Sequence, residues 1–223
     1  MSHYLSHLGR DKKLKKLLNT QEPQRLRKRR NVMVRLCASI MSQQLSVRVA
    51  EVIFRRFLDL YGKKEPTAIQ ILDTPDTTLR GIGLSNAKVR YIKNVAGFAV
   101  EQGMSAGKLA KMSNEEVVEY LVRIKGVGRW TVEMLLMFTL GREDVFAPDD
   151  LGIQRAMVTL YKLDHLDKKE LREEMIRISR GWSPFRTYAC LHLWEWKDNK
   201  PVTDKKTAKD NKPVLRAKEK KLW

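Results

Sequence analysis

Cysteine is scarce in this sequence: 223 residues carry two, Cys37 and Cys190. Both lie in apolar helical patterns. That predicts buried free thiols rather than a disulfide and suits a reducing cytoplasm. Long apolar runs are missing as well. None approaches the ~20 residues that span a bilayer, and the opening MSHYLSHLGR lacks the apolar core of a signal peptide. No alternating run longer than four residues has turn signals on both sides, which excludes a strand-rich fold. Acidic residues are outnumbered. Lys plus Arg is 44 and Asp plus Glu is 26, a net charge of +18. An excess of that size predicts a polyanionic partner. The length allows one or two domains with a real core.

What is present reads as helix almost throughout, so the fold class is all-α. Leu5, Leu8, Leu14, Leu17 and Leu18 mark short helices at the start. The basic run Arg25, Arg27, Lys28, Arg29 and Arg30 follows, either a DNA contact or a solvated face. Asn31 to Tyr61 reads as two helices joined near Ser42-Gln43-Gln44. Pro66 to Thr77 holds a short helix between turn residues. L-R-G-I-G from Leu79 then echoes I-K-G-V-G from Ile124, a second hairpin-like turn with a phosphate contact through Ser85 and Lys88. Ser113 and Glu116 form a capping box, and Asp167 caps a later helix. Phe185 to Trp196 resumes the helical pattern after Trp182-Ser183-Pro184. Residues 198–223 form a basic tail of flexible composition.

The densest information lies between Leu121 and Met157. Glu115 to Ile124 fits an amphipathic helix, with Gly126 expected to end it. Gly128 is expected to turn the chain tightly into the apolar run Thr131–Leu140. Unpaired N–H groups at the start of that second helix make an anion site, favoured by the helix dipole. Lys125 and Arg129 flank it. Pro148-Asp149-Asp150 follows, with Asp149 expected to cap the helix that begins near Leu151.

I-K-G-V-G-R-W-T, followed by V-F-A-P-D-D, resembles the helix-hairpin-helix DNA glycosylase superfamily. Within it the sequence is most similar to the bacterial 3-methyladenine DNA glycosylase II group, in a compact form without the N-terminal β domain. Ser39–Ala50, Leu79–Ile92 and Trp182–Trp194 agree with the same resemblance. It implies two helical domains flanking a DNA-binding cleft. Residues 31–140 make the central domain, ending in the hairpin. Residues 1–30 with 141–197 make the other, and 198–223 the tail.

The resemblance also assigns roles. Asp150 matches the catalytic aspartate, which stabilises positive charge on the sugar as the base leaves. Trp130, Phe185 and Tyr188 match positions lining the base pocket. Gln43 and Gln44 lie in a loop that enters the minor groove, and one of them fills the space left by the extruded nucleotide. Lys125, Gly126, Val127, Gly128, Arg129 and Thr131 contact DNA. The carbonyls of Val122, Ile124 and Val127 match ligands of a structural monovalent cation, Na+ or K+. No cofactor is needed for catalysis, and Cys190 alone cannot hold an iron–sulfur cluster. Trp130 stands where lyase members carry a lysine nucleophile. Leu151 and Gly152 stand where larger alkylpurine enzymes have aromatic residues.

The resulting expectation is a monofunctional glycosylase for alkylated purines of the 3-methyladenine and 7-methylguanine type. It would act as a monomer on damaged double-stranded DNA in a bacterial cytoplasm. A non-catalytic damage-binding module, or a glycosylase for deaminated bases, are the rival readings.

Overall fold

The computed structural model describes residues 3–198, and the expected basic tail lies outside them except for Asp198. Among the described residues there is no strand. No helix is long and apolar enough to cross a membrane. The described residues divide into two compact units, one of residues 3–26 with 142–198, the other of Arg27–Gly141.

In the first unit, helices α1 (His3–Leu8) and α2 (Lys12–Leu18) come from the start of the chain. The second unit runs from α3 (Val32–Ser42) through α4 (Val47–Asp59), α5 (Ala68–Asp73), α6 (Asp76–Gly81) and α7 (Asn86–Glu101). It closes with α8 (Ala106–Ala110), α9 (Asn114–Leu121) and α10 (Arg129–Phe138). The first unit then resumes with α11 (Leu151–Tyr161), α12 (Lys168–Ser179), a 3-10 turn at Arg180–Trp182 and α13 (Arg186–Asp198).

Helix α3 is the centre of the second unit. Every residue of it except Arg35 is buried, and it packs on α4, α7 and α10. A helix apolar on all sides has no solvent face to offer, so its neighbours must surround it. Helix α7 turns Val89, Ile92, Val95 and Ala96 inward at helical spacing. The expected caps are in place: Ser113 with Glu116, and Asp167 with Glu170, both form reciprocal boxes. Each such cap satisfies backbone donors that the helix itself leaves unpaired, worth about 1 kcal/mol.

The first unit is tied together by polar groups far apart in sequence. Asp11 caps α2 and also accepts from Tyr161 Oη at 2.5 Å and Trp182 Nε1 at 3.2 Å. Burial opposes ionisation of Asp11, yet these donors hold its carboxyl below the usual range. His192, fully buried on α13, meets Gln21 Oε1 at 2.6 Å through Nδ1 and Tyr4 Oη at 3.3 Å through Nε2. The Gln21 amide nitrogen already donates to the His192 carbonyl, so Oε1 is the acceptor and Nδ1 carries the proton. Burial pushes the imidazole down to about 4, which keeps it neutral. Both cysteines are free and buried, as the composition predicts.

Candidate active site

Helix α9 ends at Leu121, earlier than the apolar pattern suggests, and two successive turns carry the chain to Gly126. Gly126 has φ +104, where side chains are strained. A Cβ there would sit 2.3 Å from Tyr91 Cγ. Glycine is therefore required twice over, once by the backbone and once by the ring beneath it. Asn94 Nδ2, one turn beyond Tyr91 on α7, donates to the Lys125 carbonyl at 3.1 Å. Neither contact has a signal in the hairpin sequence.

Gly128 is a different kind of glycine. Its φ of −99 suits any residue, and a Cβ would meet nothing within 4 Å. The tight turn expected at this position is not what demands it. The echo at Leu79–Leu84 explains the choice. Gly83 has φ +106, so by geometry Gly83, and not Gly81, is the counterpart of Gly126. Leu84 then matches Val127, both buried, and Ser85 matches Gly128. Ser85 Oγ accepts from Lys88 N at 3.3 Å and seals the start of α7. Gly128 has no side chain, and α10 starts without a side-chain cap. One turn thus carries a side-chain cap and the other does not.

The cations beside the turn divide in role. Arg129 is ion-paired to Glu115 on α9, its Nη1 3.0 Å from Oε2, and braces the hairpin. This pairing holds the Glu115 carboxyl below its usual range. Lys125 is exposed. Thr131, expected at the DNA, is buried, 3% exposed.

Asp150 stands at the start of α11 and is its N-cap, which corrects the expectation for Asp149. Oδ1 of Asp150 accepts from Ile153 N at 2.9 Å and from Trp194 Nε1 at 2.8 Å. The residue is 8% exposed. Asp149 instead points to solvent and pairs with Arg172 at 3.0 Å. Gly152 makes the Trp194 contact possible. A Cβ on it would lie 2.9 Å from Trp194 Cδ1 and 3.0 Å from Asp150 Oδ1.

One stripe of α13 fastens the whole segment before the acid. Asp144 takes Arg186 Nε at 2.6 Å and Ser183 Oγ at 2.8 Å. Burial opposes its ionisation, but these donors hold the carboxyl low. Thr187 Oγ1 donates to the Arg142 carbonyl at 2.7 Å and accepts from Val145 N at 3.0 Å. Cys190 Sγ lies 3.9 Å from the Val145 carbonyl, and Trp194 reaches Asp150. Residues 186/187, 190 and 194 recur at helical spacing, so a single rigid face sets the position of the carboxylate.

The described residues thus hold a hairpin whose second helix starts without a side-chain cap, and, separately, a buried, doubly held aspartate at a helix N-terminus. Residues 37–180 match the family described as the HhH-GPD superfamily of base excision DNA repair proteins. The chain belongs to this superfamily. It is 35% identical to DNA-3-methyladenine glycosylase 1 of Schizosaccharomyces pombe over 87% of each chain. A solved structure of the S. pombe 3-methyladenine DNA glycosylase, in complex with abasic DNA, superposes with a TM-score of 0.78 at 32% identity. That match covers 91% of this chain and 100% of the other. A DNA-3-methyladenine glycosidase from Bacillus halodurans gives 0.79 at 29% identity, over 96% and 94%.

The remaining residues singled out for the HhH-GPD site fall as follows. Trp130 is half-buried on the first turn of α10. Phe185 and Tyr188 come together, ring centroids 6.2 Å apart. Both are already engaged by α1: Tyr4 stacks on Tyr188 at 4.0 Å and 7°, and His3 and His7 meet Phe185 edge-on at 5.5 and 5.4 Å. The Tyr188 hydroxyl donates to Glu143 at 2.9 Å, and burial with this carboxylate pushes it up to about 12, so it stays a neutral donor. Gln43 is half-buried and Gln44 exposed in the α3–α4 loop. The Ile124 carbonyl accepts from Val127 N at 2.9 Å and keeps a second lone pair. The sequence pattern did not point to Trp194, Gly152, Tyr91 or Asn94. All four act through contacts between residues remote in the chain or hidden behind a backbone position.

Proposed function

We propose that this HhH-GPD protein hydrolyses the N-glycosidic bond of alkylated purines, of the 3-methyladenine and 7-methylguanine type, in double-stranded DNA. The observation that carries the reading is Asp150: a carboxylate removed from solvent and oriented by an indole N–H and a peptide N–H. Such a group favours positive charge beside it. As the C1′–N bond breaks, its electron pair goes to the leaving base and the sugar becomes an oxocarbenium ion. An alkylated purine is already cationic and leaves as a neutral molecule, so no general acid is required. Water then adds to C1′ and gives up a proton to the carboxylate or to bulk solvent. Hydrolysis of ordinary glycosides usually needs a second carboxyl group as acid.

The named relatives support this substrate class, since the S. pombe protein is named a DNA-3-methyladenine glycosylase and the B. halodurans protein a DNA-3-methyladenine glycosidase. The resemblance assigns Trp130, Phe185 and Tyr188 to aromatic faces that favour a cationic base through cation–π attraction, about 0.5–2 kcal/mol each. Lys125 and the backbone N–H groups at Gly128 to Thr131 hold a phosphate. The carbonyls of Val122, Ile124 and Val127 would hold a monovalent cation of structural use. Trp130 replaces the lysine that an imine-forming enzyme needs, so the product is an intact abasic strand. We infer a monomer acting on the DNA of a bacterial cytoplasm.

Incubating the protein with methylated genomic DNA and identifying released bases by mass spectrometry tests the proposal. Release of methylated purines is expected. Release of none, with an active control enzyme, or of uracil and hypoxanthine only, overturns it.

A further inference from the structure

Lys88 sits in a place that its own helix disfavours. It occupies the first turn of α7, where the helix dipole opposes a cation. It is half-buried, and that burial pushes its ammonium down from the usual value. Both features cost stability. What offsets them lies on α3. Lys88 Nζ donates to the Met41 carbonyl at 2.9 Å and to the Gln43 carbonyl at 2.8 Å. These two oxygens lie at the C-terminal end of α3, where carbonyls have no partner inside the helix and the dipole is negative. The phosphate contact expected of Lys88 from its sequence is therefore replaced by an internal one.

The loop that Lys88 grips has an unusual shape. After Ser42 the chain reverses within two residues, and Leu45 N returns to the Ser42 carbonyl at 3.1 Å. Gln44 takes φ +59, a left-handed conformation that non-glycine residues avoid. Such a conformation persists only when its surroundings over-determine it. The ammonium fixes the carbonyl on either side of Ser42, so the peptide entering Gln44 cannot rotate freely. Gln43 is half-buried with its carbonyl engaged, while the Gln44 side chain is exposed.

We infer that Lys88 is a positioning residue that holds the α3–α4 loop so that Gln44, rather than Gln43, enters the space left by the extruded nucleotide. This rests on the reading that the loop fills that space. Lys88 does not touch the reacting atoms. It acts through two main-chain carbonyls, and its effect is confined to substrates in which a hole in a duplex must be filled.

The test compares binding to a stable abasic analogue in duplex and in single-stranded DNA, by fluorescence anisotropy, alongside thermal melting. In Lys88→Met, duplex affinity is expected to fall about tenfold to a hundredfold, the scale set by small misplacements of a positioned group. Single-strand affinity stays as it is. Lys88→Cys behaves likewise, and treatment with bromoethylamine, which rebuilds an ammonium of the same reach, restores duplex binding. Cys37 and Cys190 are fully buried, so the reagent acts at the new thiol. A duplex preference unchanged in Lys88→Met, or not restored by complete alkylation, overturns the role of Lys88. Gln44→Ala and Gln43→Ala separate this from the underlying reading. Loss in Gln44→Ala alone supports the inference, and loss in Gln43→Ala alone overturns it. Loss in neither shows that the loop does not fill the space at all, whatever Lys88→Met does.

Discussion

Trp194 donates its indole N–H to Oδ1 of Asp150 at 2.8 Å, across 44 residues of sequence, through a gap left by Gly152. The carboxylate that carries the proposed chemistry is thus aimed by a helix it does not belong to. The same oxygen caps α11. Position and charge of this group can be separated, because an amide oxygen accepts the same two bonds.

Asp150→Asn keeps the acceptor and removes the charge. Base excision in single turnover should drop at least about 10²-fold, as expected for lost electrostatic stabilisation. The melting temperature should fall by less than in Trp194→Phe, because both bonds are kept in neutral form, and DNA affinity should be unchanged or higher. Asp149→Asn removes an exposed pair with Arg172, worth about 0–1 kcal/mol, and should leave turnover intact. Wild-type excision by Asp150→Asn would move the chemistry elsewhere.

Trp194→Phe deletes the donor while keeping an aromatic ring in place. A hydrogen bond to an ionised acceptor contributes about 1.5–3 kcal/mol, so the variant should be less stable by that amount. Turnover should fall while substrate affinity is preserved, since the acid loses its aim but the DNA contacts remain. Gly152→Ala should show the same pattern, because a Cβ forces Trp194 away. Full activity in both variants would mean that Asp150 needs no orienting donor.

The two glycines of the hairpin should fail differently. Gly126→Ala is strained at φ +104 and strikes Tyr91, so it should lose stability outright. Gly128→Ser has room and supplies the cap that Ser85 gives α7. It should melt as the parent does or slightly higher. Its affinity for an abasic analogue should nonetheless drop, with the slope of log affinity against log salt shallower by about 0.9, the value of a single phosphate. Gly128→Ser binding at parental strength would remove the start of α10 from the DNA interface.

His192 makes stability depend on pH. Its folded value is depressed to about 4, below the ordinary 6.5 of the unfolded chain. The stabilisation is complete above that ordinary value and diminishes as pH falls toward 4. Over this window the loss should be on the order of 3 kcal/mol. Chemical denaturation at several pH values reads it directly. His192→Phe, whatever its stability at neutral pH, should flatten that part of the curve.

Borohydride treatment of protein with damaged DNA should trap no covalent imine, because Trp130 occupies the position of the lysine nucleophile. A trapped adduct that survives replacement of surface lysines would contradict this.

Helix positions were legible wherever a local rule governs them. The periodicity of α3, α4 and α7 is plain in the sequence, as are the boxes at Ser113 and Asp167. The hairpin and its following acid were legible as motifs, and the family with them. What escaped had one cause, that a residue's partner lies elsewhere. Asp149 and Asp150 are equally good caps on paper, and the contacts of Ile153 and Trp194 with Asp150, and of Arg172 with Asp149, tell them apart. L-R-G-I-G and I-K-G-V-G align by letters on their first glycines, whereas the backbone aligns Gly83 with Gly126. Arg129 and Lys88 read as cations open to DNA, yet Glu115 and two carbonyls of α3 hold them. A one-dimensional pattern carries charge but not its address.

The first unit is assembled from both ends of the described chain, and this orders events during synthesis. Arg27–Gly141 is finished on the ribosome before any part of the chain from Arg142 exists, and can fold as it emerges. The first unit must wait. Asp11 meets Trp182, and Gln21 meets His192, each 171 residues later, so these partners are made only after the second unit is complete. Trp194 is made later still. On the proposed function, a nascent chain completes its hairpin well before Asp150 is oriented, so base excision follows DNA binding in the order of assembly.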